Sequence, residues 1–247
     1  MAPIRLFWSI AAFVLSLIFL SGPPALSGPL TEAVKARDVA QVSNLLAAGD
    51  DVHDRVQRDY PINVAASFGP AEMVSVLLEA GARIEQPGRD GLRPLHNAVI
   101  SGHADIVALL IRKGAEVNAM DKKDRSPLIY FAAFDVKDLE IARTLLAAGA
   151  DPKIVDKGRE TAFNFSAYSG NIELGKLLMA AGADISHRAG TGEFPVHAAS
   201  FHGRHAFMKL LIAAGADVNL KTTAGNTALF YAQDDEMRKL LTDAGAM

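Results

Sequence analysis

Two histidines on either side of a short turn, His202 and His205, are the residues whose types and spacing most resemble a chemical site. Imidazole nitrogens bind zinc, so closely spaced histidines can form part of a metal site. Only these two histidines lie close together in the sequence, and Gly203 between them marks a turn. We therefore interpret both as solvated turn residues, and we expect neither a bound metal nor a cofactor.

Groups for catalysis are equally sparse. The sequence contains no nucleophile elbow, no phosphate-binding loop and no His-Glu-x-x-His helix. It has no cysteine, which excludes thiol nucleophiles, zinc thiolates and disulfides. The paired acids at 50–51 and 234–235 fall at turns, where carboxylates cap helices or face water. The sequence therefore predicts no enzyme, no catalytic residue and no small-molecule substrate.

The net charge argues against one class of binding partner. The 25 basic and 28 acidic residues give a net charge of −3, without the basic excess typical of nucleic-acid binding. Half of the residues are hydrophobic, which is enough for a continuous core. We therefore expect no nucleic-acid partner.

A repeated motif, a Leu-Leu pair followed by glycine after two or three residues, organises the chain. Its glycines lie 32, 33, 35, 33, 33 and 30 residues apart: Gly49, Gly81, Gly114, Gly149, Gly182, Gly215 and Gly245. A period near 33 residues is typical of a stacked helical solenoid, in which each unit contacts its neighbours. Each glycine follows a run of apolar residues at helical spacing, so it is expected to end a helix with positive φ.

The clearest unit carries a family motif. Residues 90–98 read Asp-Gly-Leu-Arg-Pro-Leu-His-Asn-Ala, and related segments occur at 126–128, 194–199 and 227–229. This pattern closely resembles the ankyrin repeat, whose mark is Thr-Pro-Leu-His-x-Ala. The resemblance covers about residues 29–247. It implies an all-α solenoid of about seven helix-turn-helix repeats with protruding hairpins, in which first helices and hairpins line a concave face.

The prolines and the unit boundaries agree with this resemblance. Pro61, Pro94, Pro127 and Pro195 fall where a first helix would begin, a position that tolerates a missing N–H. The approximate units are 29–53, 54–85, 86–118, 119–153, 154–186, 187–219 and 220–247. The first and last are polar and shortened, as capping repeats are. The fourth has two extra residues, which predict a longer inter-helix turn near residues 135–138.

The resemblance also gives His96 and His197 a structural role, because they occupy the Pro-Leu-His position, where histidine ties the hairpin to the helix. Aromatic residues are more informative about function. Twelve of the thirteen Phe and Tyr residues of the repeats fall in hairpins or first helices, the exception being Phe207. We expect Phe163 to be buried, and Phe131, Phe165 and Phe230 to fill space between helices.

Four aromatic residues remain at the ends of successive first helices: Phe68, Phe134, Tyr168 and Phe201. They are either shields for an alanine-rich groove or a row of anchors for a protein partner, since aromatic residues dominate interface hot spots. Basic residues at the hairpin tips form a second candidate surface: Arg89, Arg93, Lys122, Arg125 and Arg159. This rim is either a solvated mixture of charges or a means of steering an acidic partner.

The first 27 residues read as a secretory signal peptide. Arg5 precedes an apolar run at 6–20, a helix breaker at 21–24, and small residues at 25–27. At 1.5 Å per residue the run spans roughly 22 Å, short of a bilayer core of about 30 Å. We expect cleavage after Ser27. The alternative is an uncleaved inner-membrane anchor formed by residues 6–22.

The sequence thus favours an exported, bacterial periplasmic or secreted ankyrin scaffold that binds a protein partner on its concave face. Protection of an exported enzyme and neutralisation of a toxin are the two roles it leaves open. The competing hypothesis is a structural spacer, anchored in the inner membrane, within an envelope assembly.

Overall fold

The computed structural model describes residues 28–55 and 59–247 of the protein. The predicted signal peptide, residues 1–27, lies outside the described residues. Within them the chain forms fourteen α-helices and no β-strand. The helices are α1 Pro29–Lys35, α2 Val39–Ala47, α3 Pro61–Phe68, α4 Ala71–Glu79, α5 Pro94–Ile100, α6 Ala104–Arg112, α7 Pro127–Ala133, α8 Leu139–Ala147, α9 Ala162–Ser169, α10 Ile172–Ala180, α11 Pro195–Phe201, α12 His205–Ala213, α13 Ala228–Tyr231 and α14 Asp235–Asp243. None of these described helices has the length and apolar character needed to cross a membrane.

The helices form seven successive pairs that stack in two layers. The first helix of each pair packs against the first helices of the neighbouring pairs, and the second helices pack likewise. Loops between the pairs carry the hairpins. This arrangement confirms the predicted all-α solenoid.

The helix boundaries follow from proline and glycine chemistry. Proline occupies the first turn of α3, α5, α7 and α11, as predicted. All seven repeat glycines have φ between 79° and 96°, which confirms the predicted left-handed conformation. Around Gly182, for example, the amides of Gly182 and Ala183 donate to the carbonyls of Met179 and Leu178, both at 2.9 Å. These hydrogen bonds satisfy carbonyls at the end of α10 that would otherwise lack partners.

The core runs between the two layers. Second helices contribute large aliphatic residues such as Ile106 and Leu110, and first helices add small residues such as Ala98 and Ala167 beside larger ones. Small residues allow neighbouring first helices to approach closely. Phe163 is fully buried, as predicted, and its ring lies 5.7 Å from that of Phe207.

The turn of the fourth unit is longer, as the sequence predicted. Five residues separate α7 from α8, whereas three separate α5 from α6. In the third, fifth and sixth units a glycine with positive φ lies in this turn: Gly102 at 75°, Gly170 at 77° and Gly203 at 60°. Asp135 takes that place in the fourth unit with φ 50°. Aspartate tolerates the left-handed region better than most residues because its short side chain forms local hydrogen bonds.

Candidate functional site

Six rings form a continuous line on the surface of the first helices, and we call this line the aromatic row. Its members, in order, are Phe165, Tyr168, His202, Phe201, Tyr231 and Phe230. Neighbouring ring centroids lie 5.0 to 6.2 Å apart, and most pairs meet edge to face. This is a favourable geometry for aromatic contacts. The row therefore links the last three units of the stack in one surface.

The structure brings together two of the four predicted anchors. Tyr168 and Phe201 both belong to the aromatic row, joined through His202. Phe134 lies in the fourth unit and contacts Tyr130, with ring centroids 5.6 Å apart. Phe68 lies two units further along, with 62% of its surface exposed. The predicted anchors therefore follow the stack, but the continuous part begins at Phe165.

One interpretation of the aromatic residues needs correction. Phe230 does not fill space between helices, because it is 69% exposed. It belongs to α13, the short first helix of the seventh pair. Of the other two residues, Phe131 is fully buried and Phe165 is half-buried.

The turn histidines are also more engaged than the sequence indicated. His202 is half-buried between the rings of Tyr168 and Phe201, and this burial lowers its pKa. His205 contacts the carboxylate of Asp234, with its Nε2 2.9 Å from Oδ1. Asp234 in turn accepts a hydrogen bond from the amide of Met237 at the start of α14. Among the described residues, no three His, Asp or Glu side chains cluster closely enough to hold a metal ion.

A shallow groove lies beside the aromatic row. Its volume is about 230 Å³, and Ala132, Ala133, Phe165, Tyr168, Ser169, His202 and Arg204 line it. The alanines of α7 leave the space that the larger rings of α9 border. The Arg204 side chain donates from Nε to the Tyr168 carbonyl at 3.0 Å, which fixes the groove's far wall.

A carboxyl group holds the tyrosine of this groove. The Tyr168 hydroxyl donates to Oε1 of Glu160 at 3.0 Å. Burial raises the pKa of Glu160 to about 7; the Tyr168 hydrogen bond opposes this rise, and the carboxylates of Asp156 and Glu193 add to it. Burial also raises the pKa of Tyr168, so its hydroxyl remains a donor at neutral pH. Glu160 was not predicted from the sequence, because nothing in the linear pattern joins a hairpin residue to the end of the following helix.

Comparison with known families identifies the repeat. A model of ankyrin repeats in three copies matches residues 30–121 and 163–246, and a single ankyrin-repeat model matches residues 123–157. The chain belongs to the ankyrin-repeat family. The solved ankyrin repeat domain of Bcl-3 shares the fold, with a TM-score of 0.76 over 88% of this chain and 99% of that domain, at 23% identity.

Relatives with curated descriptions are similar over part of their length. Alpha-latrocrustotoxin-Lt1a of Latrodectus tredecimguttatus is 32% identical over 103 residues, which cover 41% of this chain and 7% of the toxin. Ankyrin repeat protein nuc-2 of Neurospora crassa is 30% identical over 147 residues, which cover 58% of this chain and 14% of nuc-2. The chain therefore spans only a small part of these proteins. Ankyrin repeats are in general protein-binding scaffolds, with an extended concave surface.

The two motif histidines have the structural role that the ankyrin resemblance implied. His96 is fully buried; its Nδ1 accepts from the Arg93 amide at 3.2 Å, and its Nε2 lies 3.1 Å from the Arg125 carbonyl. His197 repeats this arrangement with the Phe194 amide and the Leu220 carbonyl. Burial lowers the pKa of both imidazoles. Each neutral ring thus ties its own helix to the next hairpin.

Two of the predicted rim cations are committed to contacts within the ankyrin stack. Arg93 donates to Glu85 at 2.7 Å and to Glu116 at 2.8 Å. The Arg125 guanidinium lies 5.3 Å from the centre of the Tyr130 ring and 3.7 Å from a carboxylate oxygen of Asp156. Their charges are largely balanced internally, so they contribute less to the surface potential than the sequence alone indicates.

The other three rim residues, Arg89, Lys122 and Arg159, are exposed. Their backbones join neighbouring hairpins. The Lys122 amide donates to the Asp90 carbonyl at 3.0 Å, and the Arg159 carbonyl lies 2.9 Å from Nε2 of His187. These contacts hold the hairpin tips in register and leave the three charged ends free to meet water or a partner.

Proposed function

We propose that this ankyrin-repeat protein is exported and binds a protein partner on its concave face, along the aromatic row. The rigid stack supplies a preformed surface, so little conformational entropy is lost on binding. Phe134 would extend the contact, Phe68 would lie at its edge, and the exposed cations Arg89, Lys122 and Arg159 would border it.

The continuity of the aromatic row carries this proposal. Phe165 and Tyr168 pack partly against the core, but core packing does not account for the whole row, because Phe230 is largely exposed and Phe201 and Tyr231 are half-buried. Contiguous exposed apolar surface on a protein commonly marks an interaction site. Aromatic residues with few rotatable bonds are also the usual anchors of protein interfaces.

Site-specific photocrosslinking would test the binding face. A photoreactive phenylalanine derivative in place of Phe201 lies in the aromatic row, and the same group in place of Lys209 lies exposed on α12 of the same unit. We expect one specific protein to crosslink in living cells from position 201 and not from 209. Equal crosslinking from both positions would contradict a concave binding face.

Export has its own support in the charged start, apolar run and small-residue exit of residues 1–27. We expect the native protein to begin at or near Gly28. N-terminal sequencing and intact mass of the protein purified from envelope fractions would measure this. A full-length species that stays in membranes after a carbonate wash would favour the anchored spacer instead.

A further inference from the structure

The carboxyl group of Glu160 lies directly beneath the proposed binding surface. Its Oε1 accepts a hydrogen bond from the Tyr168 hydroxyl, whereas its Oε2 is buried without a hydrogen-bond partner among the described residues. A charged oxygen in that position loses its hydration without compensation, which costs free energy. The site therefore favours the neutral form of Glu160.

The charged groups that face Glu160 also favour its neutral form. Asp156 lies on the same hairpin, and Glu193 reaches it from the hairpin of the sixth unit. Within the described part of the chain no lysine or arginine forms an ion pair with Glu160, and Arg125 lies against Asp156 instead. Two neighbouring negative charges therefore add to burial, and the pKa of Glu160 rises to about 7.

We propose that Glu160 makes partner binding on the concave face depend on pH, with the tighter complex on the acidic side of neutrality. This inference rests on the proposed function. A partner that covers Tyr168 removes further water from the carboxyl below it, and this loss disfavours the charged form. The complex therefore holds the Glu160 proton more tightly than the free protein does, and binding takes up a proton near neutral pH.

The size of the effect depends on how far the partner raises the Glu160 pKa. For each unit by which the partner raises the Glu160 pKa, the protein with ionised Glu160 binds about tenfold more weakly than the protein with protonated Glu160. Measurements at about pH 5.5 and about pH 8.5 lie on either side of a titration near 7. For one added unit, we expect roughly tenfold weaker binding at the higher pH.

The first part of the test uses the free protein. The sequence has four tyrosines, so tyrosine ring signals in NMR spectra are few, and Tyr168→Phe assigns the relevant one. We expect the Tyr168 ring signals to titrate with a midpoint near pH 7 and to lose this titration in Glu160→Gln. The matched control is Glu173→Gln, which alters an exposed acid on α10. A midpoint near 4.5, the ordinary value, or a titration near pH 7 that persists in Glu160→Gln would overturn the inference.

The second part measures the affinity of the crosslinked partner, once purified, at the two pH values. We expect the wild type and Glu173→Gln to bind more weakly at high pH, and Glu160→Gln to keep the tight affinity at both. An affinity that is the same at both pH values would contradict this inference but not the proposed function. Affinity that rises with pH would also overturn it, and would indicate a partner with a cationic side chain against Glu160. The lack of any partner would contradict both proposals.

Discussion

Replacement of Gly182 by valine tests the requirement for positive φ at the repeat glycines. Gly182 follows α10 with φ 87°, and a Cβ built there would meet no atom within 4 Å apart from those of its immediate chain neighbours. A clash with neighbouring residues therefore does not contribute. The cost of Gly182→Val is the strain of a β-branched residue in the left-handed region.

That strain is about 1–2 kcal/mol for an ordinary side chain, and a β-branched residue lies at the upper end or above. For a chain of this size, each kcal/mol lowers the melting temperature by about 2–4 °C. Lys122→Ala is the reference variant, because Lys122 is exposed on a hairpin and its hydrogen bond to the Asp90 carbonyl comes from the backbone amide, which alanine keeps. Such a surface change should lie within about 0.5 kcal/mol of neutral.

Urea unfolding followed by circular dichroism would measure both variants under the same conditions. We expect Gly182→Val to unfold at clearly lower urea concentration and Lys122→Ala to match the wild type. If Lys122→Ala were the more damaging change, the assignment of helix ends and hairpins throughout the stack would be refuted.

Three further predictions concern other positions. Gly175→Ala should destabilise by about 1–3 kcal/mol in thermal unfolding, although alanine normally favours a helix, because the added Cβ would lie 2.7 Å from the buried Phe207 ring. Asp135→Gly should raise stability by up to about 1 kcal/mol in the same assay, since φ is 50° there; a loss of stability would contradict the strain argument. Glu160 binds its proton more tightly in the folded chain, where its pKa is about 7, than in the unfolded chain, where the ordinary value is 4.5. The stabilisation from this proton is therefore complete below about pH 4.5 and is lost as pH rises through 7. At about 1.4 kcal/mol per pKa unit this is at most about 3 kcal/mol, and urea melts across this range should show that Glu160→Gln removes the dependence.

Local chemistry explains why the fold could be predicted from the sequence. The prolines of the first helices and the glycines after the second helices each impose a backbone conformation by themselves, whatever the surroundings. Asp135 shows where this reasoning needs the structure. Aspartate does not by itself demand positive φ, so its substitution for a glycine in the fourth unit could not be read from residue type.

The candidate site was predicted only in part, because its geometry depends on contacts between units. Tyr168 and Phe201 were expected at matching positions, but the ring that joins them, His202, was interpreted as a solvated turn residue. Phe230 was expected to be covered, since the sequence pattern does not show which side of α13 faces solvent. Glu160 and Glu193 come from different hairpins, so only the folded chain reveals their proximity.

The affinity of the purified partner for single alanine variants tests most directly whether the aromatic row binds protein. Tyr168→Ala and Phe201→Ala should each weaken binding by about 2 kcal/mol or more, as hot-spot residues do. Lys176→Ala and Arg143→Ala, at exposed positions of second helices, should bind like the wild type. Melts of all four proteins would show that they are folded under the binding conditions. Full affinity in both aromatic variants, with loss of binding in the second-helix variants, would contradict the account.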